Sequence, residues 1–271
     1  MTRIAHLSDP HFGTEEPALL PALAACLADL RPDAVVLSGD VTQRALPSQY
    51  AAAGRFLATC PGPRLVIPGN HDAPLWNLPL RLLDPWRDWR RVLALPLQAE
   101  IVTQDAVIAG INTANPLVWK DGRLRQAQLD ELAALFARHA GRRRIVAMHH
   151  PLAPPRSEPA SLRGAGRARE ALVAMGVEMV LSGHLHFTHV APVPAAPGLL
   201  SVQAGTCLST RRRGDGNAFT LIDLAPQGRA VITHYRANAA GGFRPDAVAL
   251  WSNGPQGWQA QPPATGAGGH G

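Results

Sequence analysis

Short apolar stretches of this chain run, again and again, into turns built from Gly, Asp, Asn and His. Residues 3–8 end in Asp9-Pro10-His11, residues 34–38 (AVVLS) in Gly39-Asp40, and residues 64–68 (RLVIP) in Gly69-Asn70-His71-Asp72. Farther on, residues 144–148 (RIVAM) end in His149-His150-Pro151, and residues 178–182 (EMVLS) in Gly183-His184-Leu185-His186. The turns at 9, 40 and 70 are 31 and 30 residues apart, about one strand–helix–strand unit each. The stretches between them carry helical spacing: Leu19, Leu20, Leu23, Leu27 and Leu30 within 17–30, and Tyr50, Ala53 and Leu57 within 47–59. The same spacing returns at Leu129, Leu132 and Phe136 (125–139). It returns again at Ala168, Ala171, Leu172 and Met175 (165–175), where Gly176 supplies a helix stop. With a further apolar strand at 106–111, strands alternating with helices predict an α/β fold.

Beyond residue 190 the pattern changes. Stretches 199–204, 218–224 and 229–235 follow one another with turns and no helix between them, which predicts an antiparallel meander. From about 239 onward Gly, Pro, Gln and Ala dominate, so 239–271 reads as an extension, with 252–271 a mobile tail.

In a parallel α/β sheet the ligand crevice lies outside the carboxyl ends of the strands. Five strand ends therefore deliver Asp, His, Asp, Asn, His, His and His towards one place, and six of the chain's eleven histidines sit in these turns. Any one of them is ordinary turn chemistry; five together are a metal-ligand set. The donors are imidazole, carboxylate and amide with no thiolate, which suits Mn, Fe, Co, Ni or Zn and disfavours Cu(I) or an iron–sulfur cluster. They outnumber what one tetrahedral ion needs, which predicts two ions sharing a carboxylate. Against the +4 of two divalent ions stand only Asp9 and Asp40. A bridging hydroxide and a singly charged phosphodiester would balance the remainder, so electroneutrality points to phosphate ester chemistry.

Composition narrows the partners. The 271 residues are 46% hydrophobic and 17% charged, a globular balance, and no apolar run approaches the ~20 residues of a membrane span. Asp9 interrupts the place where a leader's apolar core would fall, and three scattered cysteines suit a reducing compartment. A cytoplasmic protein is expected. The net charge of +6 comes from one Lys and 25 Arg spread along the chain. That distribution makes nucleic acid a poor main partner and fits affinity for a small anionic substrate.

The blocks D-x-H, G-D, G-N-H-D, H-H-P and G-H-x-H, in this order, resemble the calcineurin-like metallophosphoesterases. Within them the chain is similar to bacterial class III cyclic-nucleotide phosphodiesterases and related glycerophosphodiesterases. The resemblance spans residues 9–186, with weaker likeness to about 236. It implies a single catalytic domain (1–238) built as a four-layer α/β/β/α sandwich. It also implies Asp9, His11 and His186 on one ion, Asn70, His149 and His184 on the other, and Asp40 bridging them. His71 would be the histidine near the leaving group, and the reaction an in-line attack of a metal-bridging hydroxide on a small phosphodiester such as cAMP. Mn2+ or Fe2+ is the favoured metal. A glycerophosphodiesterase or phosphomonoesterase is the alternative, with a nuclease behind them.

Asp72 and His150 read as neighbours of the ligands or as substrate-facing groups. Asn112, after the strand at 106–111, reads as a polar pair with Thr113 behind the site or as plain loop. Arg211 and Arg213 reach for substrate phosphate or lie in a solvated hairpin turn. The Trp- and Arg-rich segment 74–93 is read as a cap stacking on a base, as a homodimer interface, or as a surface helix burying its tryptophans. Residues 119–132 read as a glycine turn and a structural helix.

Overall fold

The structure is a computed structural model that describes residues 1–155, 158–213 and 216–261. The first part runs β1 (Arg3–Leu7), α1 (Leu19–Leu30), β2 (Ala34–Ser38), α2 (Pro47–Thr59), β3 (Arg64–Ile67) and α3 (Leu78–Leu83). Then come β4 (Glu100–Val102), β5 (Ala106–Ile111), β6 (Gly122–Arg123), α4 (Gln126–Arg138), β7 (Arg143–Met148), β8 (Leu162–Arg163), α5 (Ala165–Ala174) and β9 (Val177–Ser182). The chain closes with β10 (His189–Val193), β11 (Ala196–Gln203), β12 (Ala218–Ala225), β13 (Arg229–Ala237), β14 (Phe243–Gly254) and β15 (Gly257–Gln261).

Two sheets carry the architecture. The first has the order β15-β14-β13-β12-β1-β2-β3 and the second β10-β11-β9-β7-β5-β4. The strands β1, β2 and β3 are parallel, as are β5, β7, β9 and β11. Both faces of these parallel strands are buried, so they read as continuous apolar runs. Ile4, Val36, Leu65 and Ile67 of the first sheet meet Ile108, Ile145, Met179 and Leu181 of the second in a core between the sheets. The alternate residues Ala5, Leu7, Val35 and Leu37 turn outward onto Leu23 and Leu27 of α1 and Tyr50, Ala53 and Phe56 of α2. On the far side Val107, Ala109 and Val146 pack on Leu129, Leu132 and Phe136 of α4 and Ala168 and Leu172 of α5. The result is the expected four-layer α/β/β/α sandwich.

Two expectations are corrected here. The stretch 199–204 does not join the meander: β11 pairs parallel with β9 in the second sheet, where Leu199 and Leu200 are buried on opposite faces. The meander is instead β12, β13, β14 and β15, each antiparallel to the next. Nor is the extension from 239 mobile up to residue 261, because β14 and β15 complete the first sheet. Trp251 and Trp258 enter the core between the sheets, and Trp258 Nε1 donates to the Glu178 carbonyl at 3.1 Å. Two large buried aromatics outweigh a loop-like composition. The remainder of the supposed tail, 262–271, lies outside the described residues. The sandwich brings the ends of β1, β2 and β3 to the ends of β7 and β9.

Candidate metal centre

Three of the turns at these strand ends, those after β1, β2 and β9, are strained in one shared way. Asp9, His11, Asp40, His184 and His186 all have φ between 48° and 74°, a region costly for any residue with a Cβ. Such outliers persist only where their surroundings fix them, and they gather at functional sites. Glycines make the close approach feasible. A Cβ on Gly39 would lie 2.4 Å from His149 Nδ1, one on Gly69 2.2 Å from Asp40 Oδ1, and one on Gly183 1.8 Å from Ser8 Oγ. Pro10 fits because its neighbours do the bonding. The Asp9 amide donates to the Gly39 carbonyl (3.1 Å) and the His11 amide to the Asp40 carbonyl (3.0 Å). No donor is needed between them. Asp72 ties two turns together, accepting from the amides of Val41, Thr42 and Gly69 at 2.8–3.0 Å.

The donors gather in two groups whose ligand atoms lie within 4.8 Å: Asp9, His11, Asp40 and His186, and beside them His149, His150 and His184. His11 Nε2 and His186 Nε2 face each other at 3.1 Å. Buried Asp9 Oδ1 sits 3.3 Å from His186 Nε2 without a well-directed hydrogen bond. His186 Nδ1 donates to the Arg211 carbonyl (2.7 Å) and His149 Nδ1 to the Ser38 carbonyl (2.8 Å), which turns both Nε2 atoms inward. Asn70 Oδ1 lies 3.2 Å from His149 Nε2 and 3.1 Å from His184 Nδ1, and Asp40 Oδ1 lies 3.4 Å from His149 Nε2. Lone pairs converging in a buried space require protons or cations among them, so the residues fit divalent metal.

Without metal, protons take that role. Burial opposes charge on His149, yet Asp40 outweighs it and lifts His149 to about 9. Burial likewise opposes charge on His186, which Asp9 raises on balance. Burial would raise both carboxylates, but His186 and His149 hold Asp9 low, and His149 and His71 hold Asp40 well below the usual carboxylate range. His11 and His184, where burial dominates, fall to about 3. Burial and the Asp40 charge push Asp72 up to about 7 despite its hydrogen bonds.

The remaining candidates separate. His71 Nδ1 donates to the Gln43 carbonyl (3.0 Å), and its Nε2 accepts from Arg211 Nη1 (3.0 Å). Its ring stands 4.9 Å from that of His11. His150 has both nitrogens engaged, Nδ1 with Thr113 Oγ1 and Nε2 with the Lys120 carbonyl, each at 2.9 Å. Asn112 is not brought to the site; its Oδ1 accepts from the Ala114 amide within its own turn. Arg213 turns away to Glu158 (3.2 Å). In segment 74–93, Trp86 and Trp89 are buried and Trp76 is exposed. Sequence reasoning missed Gln43 and Ser38, which aim His71 and His149. Only Thr113 left a trace, as the polar residue beside Asn112.

The profile of the calcineurin-like phosphoesterases matches residues 2–187, which include all five turns. The chain belongs to that family. A probable cyclic nucleotide phosphodiesterase of Rhodococcus erythropolis is 27% identical over 75% of this chain and 70% of its own. A cAMP/cGMP dual specificity phosphodiesterase of Mycobacterium tuberculosis is 28% identical over 73% of this chain and 64% of its own. A glycerophosphodiester phosphodiesterase of Enterobacter lignolyticus is 30% identical over 56% of this chain and 57% of its own. The match thus spans from 57% to 70% of the length of these relatives. Among solved structures, the fold matches a purple acid phosphatase from yellow lupin (TM-score 0.65, 13% identity, 91% of this chain and 53% of that one). It also matches a dimetal phosphatase from Danio rerio (TM-score 0.60, 16% identity, 86% and 95%). Membership in the family makes this chain a metal-dependent phosphoric ester hydrolase. No helix among the described residues is long and apolar enough to cross a membrane.

Proposed function

We propose that this chain hydrolyses a small phosphodiester, with a cyclic nucleotide such as cAMP the favoured substrate, at a centre for two divalent ions. Asp9, His11 and His186 would hold one ion, Asn70, His149 and His184 the other, and Asp40 would bridge them, with Mn2+ or Fe2+ the favoured metal. The observation that carries this reading is the donor set itself: two carboxylates, four imidazoles and one amide converging from five strand ends. Bound ions supply Lewis acidity and make a water nucleophilic at neutral pH. Set against only two carboxylates, two divalent ions would leave a charge of +2, which a hydroxide and a diester monoanion together balance. A monoester dianion would bind tightly there but gain less in its transition state, and only differential stabilisation raises the rate.

The chain's own groups do the rest. The hydrogen bond from His71 Nδ1 to Gln43 leaves Nε2 as the nitrogen that faces substrate. To act as a general acid there, His71 would first take a proton at Nε2 from solvent, releasing the Arg211 contact, and then hand that proton to the departing oxygen. Arg211 and Gln43, joined at 3.1 Å, stand beside His71, and the guanidinium would take a phosphate oxygen. The names of the relatives from Rhodococcus and Mycobacterium support a cyclic nucleotide, and that from Enterobacter supports a glycerophosphodiester as the second reading.

With added Mn2+, kcat/KM for bis-(p-nitrophenyl) phosphate should exceed that for the mono ester, and cAMP and glycerophosphodiesters should be tested in the same panel. A tenfold or larger monoester preference would make the protein a phosphatase. Inert cAMP beside a cleaved glycerophosphodiester would select the second reading.

A further inference from the structure

The rim of the site bears an apolar lip that no element among the described residues covers. Trp76 (81% exposed), Leu78 (51%), Leu82 (62%) and Leu83 (86%) lie on or next to α3, and Leu117 (72%) and Trp119 (58%) on the loop before β6. Arg81 makes one surface of the two segments. Itself buried, it donates from Nε to the Pro116 carbonyl and from Nη2 to the Val118 carbonyl, both at 2.6 Å, and stacks 4.5 Å over Trp119. The lip is tethered to the centre, because the Trp119 carbonyl accepts from Asn70 Nδ2 (3.4 Å) and the Lys120 carbonyl from His150. Clustered exposed aromatics and leucines are uncommon on a monomer's surface and mark an interaction site.

The charge beside the lip says what kind. Arg87, Arg90 and Arg91 are paired with Asp84 and Asp88. Lys120, Arg123 and Arg125, by contrast, have no ion-pair partner among the described residues. Arg123 and Arg125, with Glu131 opposite in charge, line a groove of about 440 Å³ that shares Pro116 with the loop of the lip. Leaving out buried Arg81, six cationic side chains of residues 76–92 and 112–125 stand against their three carboxylates and Glu131 of the groove. A two-fold dimer through this face would set that excess against itself. A lipid surface bearing phosphate headgroups answers both features, taking tryptophan and leucine at the acyl boundary and unpaired cations among the headgroups.

We propose that this face docks on an anionic lipid bilayer, turning the mouth of the metal centre towards the headgroup layer. Flotation of the full chain with vesicles tests it. The protein should float with phosphatidylglycerol–phosphatidylcholine vesicles and not with phosphatidylcholine alone, and added salt should weaken the binding. Binding should fall at least about tenfold in Leu82→Ser/Leu83→Ser and roughly 30-fold in Arg123→Gln/Arg125→Gln. Both variants should keep the thermal midpoint and turnover of a soluble diester. Quenching of wild-type tryptophan fluorescence by bilayers with brominated acyl chains reports the same contact without a substitution. The proposal is overturned by absence of flotation and quenching, or by equal binding of wild type and variants. It is also overturned by a wild-type dimer in light scattering that Leu82→Ser/Leu83→Ser converts to monomer, which would assign the lip to a second copy. None of these outcomes touches the phosphodiesterase reading, which is tested with soluble esters.

Discussion

Asp40 and His71 are bonded to each other through the His71 amide (2.8 Å to Asp40 Oδ1), yet the proposed chemistry gives them opposite duties. Asp40 would share its carboxylate between two ions, so Asp40→Ala should abolish turnover and lower the metal content measured by elemental analysis. His71 holds its ring through Gln43 and Arg211 rather than through the ligand groups, so His71→Ala should retain metal while turnover falls roughly 10²–10⁴-fold. Loss of metal from His71→Ala would reverse the assignment. His149 offers a separate signal. In the metal-free protein Asp40 overcomes burial and lifts it to about 9, so it carries a proton at pH 7. A ligating imidazole must be neutral. Adding Mn2+ at pH 7 should therefore release protons, measurable by pH-stat titration, and the release should shrink above pH 9.

At the scale of elements, what matters is how closely turns from different strands can approach. Gly183, at the end of β9, admits Ser8 and Asp9 from the end of β1 into the space of its missing side chain. Replacing it with Ala would put a Cβ 1.8 Å from Ser8 Oγ and 2.4 Å from Asp9 Oδ2, and Ser8 is buried and donates from Oγ to the Ser38 carbonyl. Gly183→Ala should lower stability by about 2–4 kcal/mol and weaken metal binding. Gly166→Ala in α5, where no atom lies within 4 Å of the added Cβ, serves as the control. A denaturant melt of both variants checks this; equal stabilities would show that the turns have slack.

At the scale of the molecule, the centre is a seam between two sheets. Asp9, His11, Asp40 and Asn70 come from the first sheet, and His149, His184 and His186 from the second. Metal bound across the seam favours the folded state alone. Mn2+ at about 100 times its dissociation constant should add roughly 2.7 kcal/mol per site, seen as a rise in thermal midpoint that chelator reverses. A midpoint indifferent to both would argue against metal across the seam.

The sequence by itself determined the alternation of strands and helices and the convergence of five polar turns. Both follow from local rules: apolar period sets the element, and a parallel sheet puts every strand's carboxyl end on one edge. It left other things undecided. Nothing in the stretch 199–204 distinguishes a strand buried on both faces in the second sheet from one in a meander, because sheet membership depends on pairing across the fold. Trp251 and Trp258 sit in a Gly- and Pro-rich segment, and only the space between the sheets made that segment β14 and β15. Asn112 and Thr113 are adjacent and both polar; only in the folded chain does Thr113 meet His150 while Asn112 stays in its own turn. The left-handed backbone at five of the donors was also invisible, since it is imposed by packing between turns far apart in the chain. Residue types and spacing are written locally; which side chain finally faces the centre was decided by tertiary contact.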